Sequence, residues 1–387
     1  MENFDEALCL MAMNSLFGAA PRTGLGIIGR AGSAAAVFEM GEKALKDLLE
    51  NREDLSSRIL GVDLESSAKE LERIRAMGHG FTGITLPDYP PLLREITDPP
   101  IGLYYSAATP LTEVFGTRPA VAIVGTRDMT AYGREWCIRI VKALSNAIVK
   151  PLIISGLALG TDITAHRAAL GFGLHTAAVL PVGIDSIYPA RHWGYAREIR
   201  ADPGSAIVTD YPPGTFPAAY NFVRRNRIIA GLSKAVILTE SKIKGGGMIT
   251  MRFASDYSRD GYALPGRVDD RCSQGCNLLI RNKLAEAITD TDDLVGKLGL
   301  GLSPAGREDP VELARKQLQN RLGEDRMGTV SKVLEAIRDC RGIDADRICH
   351  ETSLGYETVS ECLVILESEG IISVDILQRC SLNPKNS

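Results

Sequence analysis

A doubly wound parallel α/β sheet, with helical segments before and after it, is the fold this sequence predicts. Six short apolar runs, at residues 121–124, 152–155, 176–180, 206–209, 235–239 and 262–264, alternate with helix-length amphipathic stretches, as strands joined by crossover helices do. Glycines and cations recur just after these runs, on the edge where such sheets bind ligands. Charge is also partitioned: residues 113–300 hold 23 Lys and Arg against 17 Asp and Glu, residues 1–112 hold 10 against 16, and residues 301–387 hold 11 against 15. A chain of net charge -4 thus has a +6 middle between segments of -6 and -4, and a polyanionic partner fits that middle.

Residues 1–82 read as a helical domain, with helices over 6–17, 35–50 and the strongly amphipathic 66–77, and a Gly-rich turn over 21–32. Proline and aromatic residues crowd Leu86-Pro87-Asp88-Tyr89-Pro90-Pro91 and Asp98-Pro99-Pro100, so residues 83–112 are expected as a Pro-rich, extended connector. The sheet occupies residues 113–300, and a polar, Gly/Pro-containing stretch over 301–326 is expected as a linker. Helical patterns over 330–339, 344–351 and 356–369, closing on Ile371-Ile372-Ser373-Val374, give residues 327–387 the spacing of a winged-helix-like domain. Its third helix sets Val359, Leu363 and Leu366 inward and surrounds them with Glu357, Glu361, Glu367 and Glu369. Carboxylates repel phosphates, so that helix is expected to contact protein rather than enter a DNA groove.

With 387 residues, 45% hydrophobic and 24% charged, the chain has the composition of a soluble globular protein that needs no staples. Eight cysteines without a CxxC pair, no basic-then-apolar opening and no uncharged apolar run near the ~18 residues of a membrane span predict a reduced, cytoplasmic protein. Cys272 and Cys276 lack the histidine or second cysteine pair that zinc needs, so no metal is expected.

Anion chemistry concentrates after the strands. Gly125-Thr126-Arg127 follows the first, Ser155-Gly156 ends the second, and Lys242-Ile243-Lys244-Gly245-Gly246-Gly247 follows the fifth and opens a helix whose first N–H groups and dipole favour an anion. Arg224, Arg225 and Arg227 crowd one short run. On a helix Arg224 and Arg227 share a face and repel by roughly 0.2–0.5 kcal/mol, a penalty a bound polyanion reverses. Tyr211, Tyr220 and Phe222 flank that run as aromatic faces of the kind single strands stack on, unless they belong to the core. No G-x-G-x-x-G or G-x-x-x-x-G-K-[ST] motif occurs, which disfavours dinucleotide and P-loop triphosphate binding, so no cofactor is expected. Asp162 and His166, at i and i+4, are an acid/base pair by spacing, although Asp162 also suits the N-cap of its helix.

In this order the turns resemble the DNA-processing protein A (DprA/Smf) family from about Leu86 to Ile288. The likeness rests on Leu86-Pro87-Asp88-Tyr89-Pro90 with Asp98-Pro99-Pro100, on Ile123-Val124-Gly125-Thr126-Arg127, and on Ser155-Gly156-Leu157-Ala158-Leu159-Gly160-Thr161-Asp162. Asp185-xx-Tyr188-Pro189, Tyr211-Pro212-Pro213-Gly214 and Arg225-Asn226-Arg227-Ile228-Ile229-Ala230-Gly231-Leu232-Ser233 complete it. The helical start, SAM or helix-hairpin-helix-like, and the winged-helix-like end match the family's flanks more loosely.

The resemblance implies a Rossmann-like core that binds single-stranded DNA without hydrolysing it, forms a homodimer, and helps load the RecA recombinase on incoming DNA in natural transformation. By matching motif, Arg127, Arg225, Asn226, Arg227 and Lys242 or Lys244 are its phosphate-pocket residues; from the loops and the arginine run themselves, Gly125, Thr126, Ser155, Gly156, Arg224, Gly246 and Thr250 are expected beside them. Glycines stand at 245 and 247 where the family carries hydroxyls, Thr126 replaces serine, and Val223 replaces proline. Arg127, Arg225, Arg227, Lys242 and Lys244, each neutralising one phosphate, predict a salt slope of about -3.5 for single strands. The competing expectation is a nucleotide-processing enzyme of nucleotide N-glycosidase or phosphoribohydrolase type on a related sheet, with Glu240 or the Asp162/His166 pair as acid and base.

Overall fold

The computed structural model describes residues 4–302, 310–318, 322–340, 342–375 and 378–382. It divides into two compact units, residues 1–302 and 303–387.

The first unit opens with α1 (Glu6–Phe17), α2 (Pro21–Ala31), α3 (Ala34–Glu39), α4 (Glu42–Leu48), α5 (Glu53–Leu60) and α6 (Leu64–Ala76). Residues 21–32, expected as a turn, are a helix: Pro21 stands in its first turn, where a missing N–H is harmless, and Gly32 closes it at φ 94°. The single helix expected over 35–50 is two, because Met40 and Gly41 take extended backbone angles and break it. Helix α1 is the centre of this layer, burying Leu10, Met13 and Phe17 in one apolar cluster with Ile27, Val37, Ile59 and Ile74.

Strand β1 (Gly80–Gly83), α7 (Pro91–Arg94), β2 (Gly102–Ala107) and α8 (Leu111–Gly116) follow. The alternating part then runs β3 (Ala120–Val124), α9 (Ala131–Ser145), β4 (Leu152–Ser155), α10 (Thr161–Gly171), β5 (Thr176–Val179), α11 (Trp193–Ala201), β6 (Ala206–Thr209) and α12 (Ala219–Gly231). It continues with β7 (Ala235–Leu238), α13 (Gly246–Asp256), β8 (Asp260–Ala263), α14 (Gln274–Arg281), β9 (Glu286–Ala287) and α15 (Thr291–Lys297). Among the described residues the sheet has nine strands in the order β1-β2-β6-β5-β4-β3-β7-β8-β9. Strands β3 to β9 pair in parallel, and each of the six predicted runs supplies one. Like the two-residue β9, strands β1 and β2 were not expected. They extend the sheet antiparallel beyond β6, and glycine makes room for aromatic rings there: a Cβ on Gly102 would overlap the Phe81 ring, and one on Gly80 the Tyr105 ring.

The central strands are buried on both faces, as covered parallel sheets require, with Val121, Ile123 and Ile153 in one cluster and Ala122, Val124 and Ile154 in another.

In the second unit α16 (Pro310–Leu318), α17 (Glu324–Asp339), α18 (Ala345–Thr352) and α19 (Tyr356–Ser368) precede an antiparallel pair, β10 (Ile372–Val374) and β11 (Cys380–Leu382). Residues 303–309 and 319–321 of the expected 301–326 linker lie outside the described residues, and α16 occupies the stretch between them. Val330, Leu334, Ile348, Val359 and Leu366 form this unit's core, while Glu357, Glu361 and Glu367 are exposed.

Candidate nucleic-acid interface

Strand β3 lies between β4 and β7, and the chain winds away on one side through β6 and on the other through β9. That reversal opens a crevice at the carboxyl ends of β3 and β7, the place where open α/β sheets take ligands. Two predicted loops meet there. A Cβ on Gly125 would overlap Thr161 Oγ1, and one on Gly247 would come within 3.4 Å of Gly125 Cα and 2.5 Å of Leu238 Cδ1. Glycine at both positions therefore lets the loops close on each other, and a hydroxyl side chain at 247 would have to displace Leu238. Thr161 ties the floor together, its N–H donating to Thr126 O at 3.1 Å and its hydroxyl lying 3.2 Å from that of Thr239.

Three cations stand open around this crevice. Arg127, Lys242 and Lys244 are exposed and form no ion pair among the described residues. The Arg127 guanidinium lies over the Phe222 ring, 4.6 Å from its centroid, and Tyr188 meets the same ring edge-on at 5.4 Å. Gly246, exposed, opens the 11-residue helix α13, and no side chain caps it. Its first N–H groups therefore point outward with the positive end of the helix dipole. Asn226 approaches from α12, its Nδ2 lying 3.5 Å from Gly246 O.

The arginine run is placed differently. Arg225 is 3% exposed, and its Nη1 donates to Gly156 O at 2.6 Å and Val179 O at 2.5 Å, tying the loop after β4 to the end of β5. Burial, opposed by Asp162 and helped by Arg127, pushes its pKa down to about 10. Arg227 is equally buried and donates to Asp98 O at 2.5 Å and to Asp210 Oδ2 at 2.8 Å. Arg224 donates to Gly18 O and reaches Asp210 Oδ2 at 3.4 Å, with its guanidinium 5.3 Å from the Tyr211 ring centroid. The expectation that this run needs an external anion is thus corrected: Asp210, buried just after β6, and the carbonyls of Gly18, Asp98, Gly156 and Val179 satisfy it from within.

Other predicted residues also turn inward. Ser155 is buried and donates to Ile123 O at 2.7 Å; Gly156 is buried, and a Cβ there would overlap Arg225 Nη1; Thr250 is 2% exposed. Thr126 is half-buried and accepts from Asp128 N at 3.1 Å. Of the aromatics beside the run, Tyr211 is core, Tyr220 is 65% exposed and Phe222 is half-buried.

The residues of the competing enzymatic expectation are internal as well. Asp162 does not cap its helix: Gly160, at φ 72°, holds that position, and Asp162 accepts from Ala158 N at 3.3 Å within the first turn. Burial raises its pKa against the pull of Arg225. His166 is fully buried, accepting from Leu157 N at 3.3 Å through Nε2, with Nδ1 2.7 Å from Thr176 Oγ1. Since Thr176 donates its own proton to Ile153 O at 2.7 Å, Nδ1 carries the hydrogen. Burial, then Arg225 and His192, push its pKa down to about 3. Glu240 is fully buried and accepts from the N–H and hydroxyl of Thr130 at 2.9 and 2.5 Å, anchoring the start of α9.

Asp210 carries a structural role that the sequence reading left out, accepting from Arg224 and Arg227. Asp210 had a signal: it is a lone carboxylate directly after a strand whose following helix holds three arginines.

Comparison with known proteins identifies the family. The family model described as DNA recombination-mediator protein A matches residues 80–299, more than half of the chain. Protein Smf of Synechocystis is 36% identical over 310 residues, covering 74% of this chain and 76% of its own. The DNA processing protein DprA of Streptococcus pneumoniae is 37% identical over 209 residues, covering 54% and 71%. The X-ray structure of that pneumococcal protein superposes with a TM-score of 0.64 at 30% identity, over 74% of this chain and 95% of the other. A Helicobacter pylori DNA processing protein A, whose structure is described by its single-stranded DNA binding mode, gives 0.50 at 30% identity over 56% and 95%. The anion-ready crevice sits on the part of the chain these relatives share, and the chain belongs to the DprA/Smf family of DNA recombination mediators.

Proposed function

We propose that this protein binds single-stranded DNA at the β3/β7 crevice and acts, as a non-hydrolytic homodimer in the cytoplasm, to load RecA on incoming strands during natural transformation. The observation that carries the reading is the set of three exposed cations, Arg127, Lys242 and Lys244, that form no ion pair among the described residues and stand beside the uncapped start of α13. The described single-strand binding of the H. pylori relative supports it, as does the burial of Asp162, His166 and Glu240, which leaves none of them open to a substrate. Gly125, Gly246 and the α13 amides hold phosphate oxygens, and Thr126 and Asn226 border them. Arg225 and Arg227 act as the frame that fixes the loops, with Arg224, Ser155, Gly156 and Thr250 behind the surface. The acidic, winged-helix-like unit contacts protein.

This division lowers the expected salt dependence. Three cations each neutralising one phosphate of a single strand give a slope of about -2.1 in log affinity against log salt, where five would give about -3.5. Titrating a labelled oligothymidylate at several salt concentrations measures it directly. A flat dependence, or tighter binding of duplex than of single strand, would overturn the reading.

A further inference from the structure

Beside the crevice, on the outer face of α13, an open cavity of about 300 Å³ is lined by Ile243, Lys244, Gly245, Met248, Ile249 and Arg252. Residues 245, 248, 249 and 252 follow helical spacing from the N-cap, so one stripe of the helix faces this hollow. Two kinds of group meet in it. Ile243 is 49% exposed, with the half-buried Met248 and Ile249 beside it, so the floor is apolar and open to solvent. Lys244 and Arg252 are exposed at its rim, and neither forms an ion pair among the described residues, although Asp256 stands one turn beyond Arg252. An apolar floor between cations that have no ion pair among the described residues, Arg252 lying 5.9 Å from the Phe253 ring centroid, suits a ligand with a flat apolar face and an anionic edge. The volume lies at the small end of the roughly 300–1,000 Å³ of ligand cavities, which suits a single nucleotide unit. Lys244 also belongs to the loop that carries Lys242 into the crevice, so the two sites are continuous along the chain.

We propose that this cavity is a further nucleotide subsite on the DNA track: one base lies on Ile243, Met248 and Ile249, and the adjoining phosphate pairs with Arg252. The inference rests on the single-strand reading above and lengthens its footprint past Lys244. Arg252 becomes a DNA-binding residue, and the strand leaves the crevice along α13.

The test uses the full chain and a length ladder of labelled oligothymidylates, with wild type, Arg252→Gln, Ile243→Ser and Arg127→Ala. Both new substitutions fall on exposed side chains, so the fold is kept. In Arg252→Gln the salt slope becomes shallower by about 0.7, one phosphate of a single strand, only for oligonucleotides longer than the crevice holds. Ile243→Ser weakens binding at those same lengths and leaves the slope unchanged, and an abasic position placed over the cavity erases the difference from wild type. A slope in Arg252→Gln equal to wild type at every length overturns the subsite, and so does an equal loss at every length. Failure of the underlying reading is distinct: Arg127→Ala is then silent too, whereas a strong Arg127→Ala effect beside a silent Arg252→Gln removes the subsite alone.

Discussion

The arginines of α12 and the cations on the loops after β3 and β7 carry the same charge in opposite settings. Arg225 and Arg227 are each 3% exposed and donate to carbonyls and to Asp210, whereas Arg127, Lys242 and Lys244 are open to water and unpaired among the described residues. A buried guanidinium costs several kcal/mol in desolvation and stays charged only where its donors are matched, so it organises the fold around it. An exposed cation costs almost nothing to keep and remains available to a phosphate. Density of positive charge in a sequence therefore marks where charge is used, and burial decides whether the user is the protein or its ligand.

The sharpest way to break this contrast is Arg225→Ala. It leaves the carbonyls of Gly156 and Val179 without their donor at the ends of two adjacent strands, and opens a void beneath the loop. Each buried carbonyl left without its donor costs about 1–3 kcal/mol, so a clear fall in the denaturant midpoint is expected, with DNA binding lost only as the fold is lost. Retained stability together with abolished binding would return Arg225 to the interface.

Acid should expose the same buried charge by another route. Arg225 is the second cause, after burial, of the low pKa of His166, about 3 against an ordinary 6.5. A histidine depressed in the folded state binds its proton first in the unfolded chain, so between pH 6.5 and 3 unfolding takes up a proton and stability falls with pH. At pH 5 this amounts to about 2 kcal/mol relative to pH 7 and above. Asp162, whose pKa is raised by burial, works in the opposite sense: its excess proton binding in the fold adds stability as pH drops through its folded pKa. Comparing unfolding free energies of wild type and His166→Gln across pH 7 to 5 isolates the histidine. The variant's curve should be flatter, and parallel curves would mean that His166 titrates normally.

The sheet was legible because its strands are short, apolar and separated by helix-length patterns, and local periodicity carries that information. Strands β1 and β2 were hidden: their pairing joins residues 80–83 to 102–105, and glycines facing rings, as at Gly80 and Tyr105, look like turn residues when read along the chain. Helix α2 was missed for a related reason, since Pro21 and three interior glycines read as a turn, and tertiary burial of Ile27 and Ile28 outweighs their weak propensity. At the site, which loops converge followed from strand order. Which arginine faces water did not. Helical spacing places Arg224 and Arg227 on one side, but Asp210, far away in sequence terms from its packing partner Asn14, decides that this side faces inward.

The smallest expected effect probes the exposed half of the contrast. Arg127 lies over Phe222 at 4.6 Å, and a cation over an aromatic face gains roughly 0.5–1 kcal/mol at exposed sites. Phe222 thereby orients Arg127 toward the crevice, with Tyr188 bracing the ring from its edge. Arg127→Ala should make the single-strand salt slope shallower by about 0.7 and leave the denaturant midpoint almost unchanged. Phe222→Leu keeps the charge but frees the guanidinium, so affinity should fall a fewfold, and the double variant should bind no worse than Arg127→Ala alone. That non-additivity is what a shared contact produces in a double-mutant cycle. Were Phe222 instead to stack on a base, its loss would add in full to that of Arg127 and the slope would stay at the Arg127→Ala value. The cycle thus separates a ring that holds a cation in place from a ring that reads the strand itself.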